Sequence, residues 1–230
     1  MRWALPAVAL ASGVIGAAGV RSLDRMQGGP VGEQVRTYLL AHPEVVEQAM
    51  QGVQELQTAR LVERYRDDIE KPFADAWAGN PKGDVTLVEY FDYNCGYCRA
   101  ALPEVAKLLA RDSKLKIVYR DYPILSQESV DAARVSLAAA AQGKFPRFHQ
   151  ALYDAGPVTP ASIAAAARSA GVDPARAAPD ADTELARNRA VANALGLGGT
   201  PMWVVGDRVL SGAQTLDALE KAVATARARS

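Results

Sequence analysis

The chain has 230 residues, with 26 basic and 26 acidic side chains, 49% hydrophobic residues, two cysteines and two histidines. This length fits one large domain, or a domain with an appendage, and is ample for a buried core. The balanced charge argues against a nucleic-acid-binding protein, because such proteins carry a basic excess or stripe. Two cysteines exclude a scaffold of several disulfides, and they complete a four-ligand zinc site only if Cys95 and Cys98 recruit His42 and His149.

The first twenty residues have the pattern of a secretory signal. A short positive start at residues 1–3 precedes an apolar run at residues 4–20, which ends among small residues near Ala18. The run is short of the roughly 20 residues that a spanning helix needs, so we expect export with cleavage, and an uncleaved anchor is the alternative. Either way the chain works in an oxidising compartment, which is the periplasm if the source is a Gram-negative bacterium.

Residues 21–71 predict a helical stalk. A short helical stretch at residues 33–40 is interrupted by His42-Pro43, and a second helix runs from Glu44 to about Ile69. Apolar residues recur along the second helix at mostly three-, four- and five-residue steps: Val46, Met50, Val53, Leu56, Leu61, Tyr65 and Ile69. A narrow stripe on a polar helix that precedes a complete domain indicates a homo-oligomer formed through residues 31–70. Docking of the helix on its own domain is the commoner use of such a stripe.

Strands and helices alternate in residues 72–230. Four strands are predicted, at Val85–Asp92, Leu115–Asp121, Met202–Val205 and Arg208–Leu210. A helix over Leu102–Ala110 separates the first two strands, and Thr215 caps a last helix. The segment of about residues 126–193 is rich in alanine and mostly helical, with breaks at Gly and Pro. The order predicts an α/β fold with a helical subdomain inserted after the first β-α-β unit.

A C-x-x-C pair lies at the turn between the first predicted strand and its helix. The helix start, with its free N–H groups and positive dipole end, stabilises a thiolate, so Cys95 is predicted to be an open nucleophile. Cys98 lies one turn further, where its thiol resolves a mixed disulfide on Cys95. A static disulfide across this four-residue loop would stabilise the fold by only roughly 2 kcal/mol, against about 4.7 for a 100-residue loop. A Cu(I) site on the same two sulfurs is the alternative.

Two distant segments carry a resemblance to a known family. The sequence FDYNCGYC at residues 91–98, Gly199-Thr200-Pro201 before a strand, and the inserted helices resemble the DsbA-type thiol–disulfide oxidoreductases, most of all their Com1/ScsC-like branch. The resemblance covers about residues 73–228 and implies a thioredoxin fold with an inserted helical domain. It implies disulfide exchange with cysteine-containing proteins and no dissociable cofactor. The stalk resembles the oligomerisation segment of ScsC-type members.

The resemblance also implies roles for single residues. Cys95 matches the nucleophile and Cys98 the resolving thiol. Pro201 matches the family's cis-proline beside the cysteines, and the backbone of Thr200 would pair with an extended substrate. Glu89, six residues before Cys95, matches a buried acid that exchanges protons with Cys98 through water. An ion pair of Glu89 with a nearby Lys or Arg is the alternative, since a buried carboxyl must be used or paired.

The residues between the cysteines depart from the most oxidising members. Gly96-Tyr97 stands in place of their Pro-His pair, so no imidazole supports the Cys95 thiolate, and we expect a milder oxidant. Gly96 and Tyr97 are also expected on the substrate-binding side. Tyr97, with Tyr93 unless that ring is buried, would form an apolar rim for unfolded substrates. His149 is expected at the surface or at the core edge.

Two enzymatic hypotheses share this site. One is an isomerase or reductase for misoxidised proteins, which a membrane electron donor recharges. The other is a dithiol oxidase, which a quinone-linked membrane partner recharges. An oligomer that turns several sites toward one substrate favours disulfide shuffling, whereas a monomer would suit oxidation. Nucleic acid is not an expected partner.

Overall fold

The computed structural model describes residues 30–173 and 175–229, so the predicted signal at residues 1–20 lies outside the described residues. Backbone contacts divide the chain into two compact units, residues 1–54 and 55–230. The segment predicted as one stalk, residues 21–71, is therefore shared between both units. No helix among the described residues has the length and apolar composition needed to cross a membrane.

The first unit contains helix α1, Pro30–Ala41, and the beginning of helix α2, Pro43–Arg64. The N–H of His42 donates to the carbonyl of Tyr38 at 2.8 Å, and Pro43 opens α2, where its missing N–H costs nothing. Large apolar side chains of this unit are exposed in the single chain: Val31, Val35, Tyr38, Leu40, Val46, Met50 and Val53. The predicted stripe therefore remains unburied up to residue 54.

The last part of the apolar stripe is buried in the second unit. The helix predicted to reach Ile69 without interruption breaks at Tyr65, after which helix α3 spans Arg66–Glu70. Ile69 and Val62 are completely buried in the core of the unit. This corrects the expectation that the stripe faces another copy along its whole length, because its last part packs on its own domain.

The second unit is built on a five-stranded sheet. Its strands are β1 Trp77–Gly79, β2 Val85–Phe91, β3 Leu115–Asp121, β4 Met202–Val205 and β5 Arg208–Ser211. The order is β1-β3-β2-β4-β5; β2 and β3 are parallel and the other neighbours antiparallel. The four strands predicted from the sequence are present within one residue at their ends, and β1, only three residues long, was not predicted.

Helices cover the sheet and form the insert. Helix α4, Gly96–Arg111, joins β2 to β3 and begins six residues before the predicted start. The insert consists of α5 Gln127–Ala141, α6 Phe145–Asp154, α7 Pro160–Ala170 and α8 Ala181–Ala194, and α9 Leu216–Arg227 closes the chain. Thr215 caps α9 as predicted, accepting from the N–H of Ala218. The predicted α/β fold with a helical insert is confirmed.

The two faces of the sheet bury different clusters. Alternation along β2 puts Leu87 and Phe91 on the face shared with Cys98, and Val88 and Tyr90 on the face shared with Val62. Glu89 stands between Leu87 and Phe91 in this alternation. The sequence therefore places a carboxyl in the apolar layer behind the C-x-x-C pair.

A buried arginine ties three parts of the second unit together. Arg120 in β3 donates to Oε1 of Glu184 in α8 at 2.5 Å, to the carbonyl of Ile69 at 3.1 Å and to the carbonyl of Lys71. Arg120 and Glu184 are 2% and 4% exposed. The guanidinium of Arg120 thus links the end of α3 to helix α8.

We predict that Arg120→Met lowers the free energy of unfolding by about 3–5 kcal/mol, because it removes the buried partner of Glu184 and leaves only the half-exposed Arg187 at 3.4 Å. Urea denaturation measures the effect. Arg134→Met is the control, since the Arg134–Asp182 pair is largely exposed and contributes less than about 1 kcal/mol. A loss no larger than that of the control would contradict the structural role of the buried pair.

Candidate active site

The two thiols lie at the turn between β2 and α4 and in the first turn of that helix. Cys95 is the residue that precedes the helix, with extended backbone at φ −78° and ψ 114°, and its N–H donates to the carbonyl of Asp92 at 3.0 Å. Cys98 is the third residue of α4 and is completely buried, and both side chains are free thiols. The helix start directs free N–H groups and the positive dipole end toward Cys95.

Cys95 is more enclosed than the sequence analysis predicted. Only 6% of its surface is exposed, and its sulfur donates to the carbonyl oxygen of Thr200 at 3.1 Å. The expectation of an open nucleophile is therefore corrected, because the loop before β4 covers most of the residue. The Cys95 sulfur thus lies directly against the backbone of Thr200.

The Thr200–Pro201 loop forms the second wall of the site. The Thr200–Pro201 peptide bond is cis, as the resemblance implied, and Pro201 is buried immediately before β4. The antiparallel pairing of β2 with β4 brings this loop to the same end of the sheet as the cysteines. The carbonyl of Thr200 thus faces the Cys95 sulfur, at the place where an extended polypeptide would compete for it.

Glu89 is buried beside Cys98. It lies in the middle of β2, flanked in register by Tyr119 and Trp203, and is 2% exposed. Its Oε2 makes no hydrogen bond to the described residues, and burial raises its pKa to about 8. Burial alone causes this shift, with no cation opposing it, so the alternative of an ion pair with Lys or Arg is wrong.

The electrostatics of Cys98 link it to Glu89. Burial raises the pKa of the Cys98 thiol strongly, and the negative charge of Glu89 raises it further. A hydrogen bond from the backbone of Asp92 acts in the opposite direction. Burial thus favours the protonated thiol of Cys98, and Glu89 is a buried carboxyl whose charge acts on that thiol.

His149 lies in the core, whereas the sequence predicted a position at the surface or at the core edge. It is 6% exposed and packs among the rings of Phe91, Tyr119 and Phe145 at centroid distances of 4.9 to 5.0 Å. Burial lowers its pKa to about 3, so the imidazole is neutral at physiological pH. Tyr93, 2% exposed, contacts His149 Nδ1 through its hydroxyl at 3.1 Å and therefore belongs to the core rather than to a rim.

An apolar rim surrounds the site, which we define as Tyr97, Ile124 and Leu125. Their exposed fractions are 71%, 39% and 53%, and beyond Leu56 they are the exposed large apolar side chains in the described part of the second unit. Ile124 and Leu125 follow β3 in a loop that hydrogen-bonds to Asp92. Tyr97 was predicted from the sequence, but Ile124 and Leu125 were not. The pattern that could have indicated them is a pair of apolar residues in a loop directly after Pro123.

Asp92 was also missed by the sequence analysis. It follows the last residue of β2, is 2% exposed, and accepts four hydrogen bonds through its carboxylate. The signal that could have found it is a carboxylate at the end of a buried strand, three residues before the first cysteine. Gly96, by contrast, is only the first residue of α4 and has open space where a side chain would begin.

The described residues contain no group of three or more His, Cys, Asp or Glu side chains that could hold a metal ion. The zinc site that would require both cysteines and both histidines is therefore not formed among them. The chemistry of this site rests on the two sulfurs, the buried carboxyl of Glu89 and the loop at Thr200.

Comparisons with known proteins agree with this geometry. The sequence profile of the DSBA-like thioredoxin domain matches residues 86–224. A thioredoxin-like oxidoreductase from Silicibacter pomeroyi DSS-3 is 41% identical, with a TM-score of 0.67, covering 71% of this chain and 98% of its own. A linker-deletion mutant of Proteus mirabilis ScsC is 25% identical, with a TM-score of 0.74, covering 100% of both chains.

Two further relatives extend the comparison. A periplasmic thioredoxin-like protein from Salmonella enterica serovar Typhimurium is 27% identical, with a TM-score of 0.66, over 71% of this chain and 95% of its own. The Na(+)/H(+) antiporter NhaA 1 of Salinispora arenicola is 30% identical over 163 residues, which are 67% of this chain. This chain spans only 25% of that antiporter.

We predict that Glu89 makes the stability of the reduced protein depend on pH. The folded state keeps the Glu89 proton up to a pKa of about 8, whereas the unfolded chain releases it near 4.5. Between these values the folded state binds more protons, so stability falls as pH rises, by about 1.4 kcal/mol per pH unit. Glu89→Gln stays neutral, so its free energy of unfolding should rise by about 3 kcal/mol relative to that of wild type between pH 5 and 7.5.

Urea denaturation at both pH values measures this difference. Glu220→Gln, which removes a carboxyl on the surface near Arg111, is the control and should follow the wild-type slope. Parallel stability curves for Glu89→Gln and wild type would mean that Glu89 is ionised in the folded protein.

Proposed function

Because this chain belongs to the DSBA-like thioredoxin domain family, we propose that it is an exported thiol–disulfide oxidoreductase that acts on cysteine-containing proteins. The observation that carries the proposal is the position of Cys95. Its sulfur lies at a helix start and within 3.1 Å of the carbonyl of Thr200, while Cys98 is buried behind it. Such an arrangement leaves Cys95, which is 6% exposed, as the sulfur that a partner reaches, and it reserves Cys98 for the second step.

The exchange follows from these positions. In the reducing direction, the Cys95 thiolate attacks a substrate disulfide, and one substrate sulfur leaves as a thiolate. The carboxylate form of Glu89, which a pKa of about 8 makes the minor form at neutral pH, takes the proton of Cys98, and the Cys98 thiolate attacks the Cys95 sulfur. The Cys95–Cys98 disulfide forms and the second substrate sulfur leaves with the electron pair of the broken bond.

The oxidising direction reverses these steps. A substrate thiolate attacks Cys95 in the disulfide form, and Cys98 departs as a thiolate. With a pKa of about 8, Glu89 is mostly protonated at neutral pH and can supply the proton that this thiolate needs. One buried acid thus serves both directions, so the redox state of the recharging partner decides which one operates.

Substrates are expected to be unfolded or misoxidised proteins. The apolar rim offers contact to side chains that a folded protein would bury, and the loop at Thr200 offers backbone pairing to an extended segment. The copper alternative gains no support from the described residues, because Cys98 exposes none of its surface to an entering ion.

We further infer that the protein works as a homo-oligomeric isomerase or reductase in the periplasm, recharged by a membrane redox partner. The exposed apolar side chains of α1 and of the first part of α2 support self-association, since a monomer would leave seven large apolar side chains of the first unit in water. Similarity to a periplasmic thioredoxin-like protein from Salmonella supports the compartment. Several sites turned toward one substrate favour shuffling of wrong disulfides.

We predict that full-length wild-type protein restores activity to a scrambled disulfide protein and that Cys95→Ala does not, because Cys95 makes the first attack. Cys98→Ala should instead accumulate a mixed disulfide with substrate, which mass spectrometry detects after acid quenching. Cys98→Ala is also the matched control for loss of a single thiol. Equal refolding rates with wild type and Cys95→Ala would refute the enzymatic function.

We predict that charges on the stripe dissociate the oligomer. The triple substitution Val46→Glu, Met50→Glu and Val53→Glu should reduce the mass measured by light scattering to that of one chain, because burying three carboxylates costs several kcal/mol. The control is the double substitution Gln51→Glu and Gln54→Glu, which adds charge to the same helix outside the stripe. A wild-type protein that is already monomeric would overturn the oligomer proposal.

A further inference from the structure

The carboxylate of Asp92 accepts hydrogen bonds both from the turn before Cys95 and from the loop that carries Ile124 and Leu125, which we call the rim loop. Its Oδ1 accepts from the N–H of Asn94 at 2.8 Å and from the hydroxyl of Ser129 at 2.7 Å. Its Oδ2 accepts from the N–H groups of Ile124 and Leu125 at 2.9 and 3.0 Å. Both oxygens are thus saturated by donors from two segments that lie about thirty residues apart in the chain.

The donors identify what the carboxylate connects. Asn94 belongs to the turn that carries Cys95, and a second bond, from Asn94 Nδ2 to the Ser126 hydroxyl at 2.9 Å, runs between the same two segments. Ile124 and Leu125 are two of the three side chains in the apolar rim. A substrate that packs on the rim loop therefore presses on a segment whose backbone is bound to Asp92.

The backbone of the same residue reaches the two cysteines. The carbonyl of Asp92 accepts from the N–H of Cys95 at 3.0 Å and from the hydroxyl of Tyr153 at 3.4 Å. A backbone hydrogen bond from Asp92 also reaches the sulfur of Cys98, where it favours the thiolate against the effect of burial. The position of this one peptide segment thus affects how readily Cys98 becomes a nucleophile.

We propose that Asp92 is a positioning residue that couples the apolar rim to the resolving thiol, so that an apolar segment of substrate bound at Ile124 and Leu125 accelerates the attack of Cys98 on the mixed disulfide. This inference rests on the proposed function. It assigns the rim to the second step of exchange, in addition to substrate binding.

Only a carboxylate satisfies the arrangement. Four donors converge on it and it brings no donor of its own, whereas an asparagine amide would turn an NH₂ group toward two of them. Whichever way the amide turns, its NH₂ group faces either the two backbone N–H groups of the rim loop or the backbone N–H of Asn94, and the N–H groups that it faces lose their acceptor. Asp92→Asn therefore separates the two segments while keeping the size of the side chain.

The step that Asp92 influences is balanced by groups already present. Cys98 gives its proton to the carboxylate form of Glu89 and forms a bond to the Cys95 sulfur. The bond between Cys95 and the substrate sulfur breaks, and the substrate leaves as a thiolate. The substrate disulfide is the oxidant in this direction, and Asp92 neither gains nor loses a proton.

Single-turnover exchange with two peptide disulfides tests the coupling in the full-length protein. One peptide carries Leu and Phe beside its cysteine and the other carries Ser at both places. Acid quenching and mass spectrometry follow the mixed disulfide on Cys95 as it forms and as it is released. Wild type should release the apolar peptide about tenfold faster than the polar one, which corresponds to about 1.4 kcal/mol in the barrier.

Asp92→Asn should form the mixed disulfide at a rate within about threefold of wild type, and it should release both peptides equally slowly. Loss of one hydrogen bond to a charged group corresponds to about a tenfold to hundredfold slower release. Ser129→Ala removes one of the four donors and should give a smaller loss in the same direction, which keeps the test available if Asp92→Asn does not fold. Asp112→Asn, at the other end of α4, is the matched control. The Asp112 carboxylate also accepts a hydrogen bond from a backbone N–H, that of Lys114, and it accepts another from the guanidinium of Arg227.

The outcomes separate the two ideas. Acceleration by the apolar peptide that persists in Asp92→Asn, or in Ser129→Ala where Asp92→Asn does not fold, would overturn the coupling while leaving disulfide exchange intact. A wild-type protein that forms no mixed disulfide with either peptide would overturn the proposed function and the coupling together. Slowing of formation and release to the same extent would show that Asp92 only supports the fold, and it would also overturn the coupling.

Discussion

The contact between the Cys95 sulfur and the Thr200 carbonyl is the interaction on which the site depends, because it joins segments separated by 105 residues. Nothing local brings them together. The antiparallel pairing of β2 with β4 sets their register, and that pairing requires the chain to pass through the whole helical insert and return. The thioredoxin-type sheet is therefore the device that places a backbone acceptor opposite a helix-start thiol.

The layer behind this contact is buried, and burial favours the neutral forms of its groups. Glu89 is protonated, His149 is unprotonated and Cys98 is a thiol, since burial disfavours the charged form of each. A nucleophile can then be generated at Cys98 only by moving a proton within this layer. Glu89 is the group whose pKa, about 8, lies within reach of physiological pH, so the layer confines proton transfer to one partner.

The sequence predicted the strands of the sheet and the paired cysteines because those signals are local. β-branched runs mark β2 and β3, and the C-x-x-C spacing marks the turn. It failed where long-range packing decides. His149 lies on a helix that looks amphipathic in isolation, yet aromatic rings from two strands and from its own helix enclose it. Asp92 acquires its role only when the loop after β3 folds back against it, and no pattern near residue 92 contains that information.

The enclosure of Cys95 gives the site a basis for selecting substrates. With 6% of the residue exposed and its sulfur against Thr200, Cys95 would suit a partner sulfur carried on an extended chain better than one held rigidly in a folded surface. In the proposed function, the rim would add a preference for apolar side chains next to that sulfur. Misfolded proteins present both features together, because their cysteines and their core residues are exposed at the same time. Under the proposed function, the geometry would therefore discriminate by the folded state of the substrate, with no need to recognise a particular sequence.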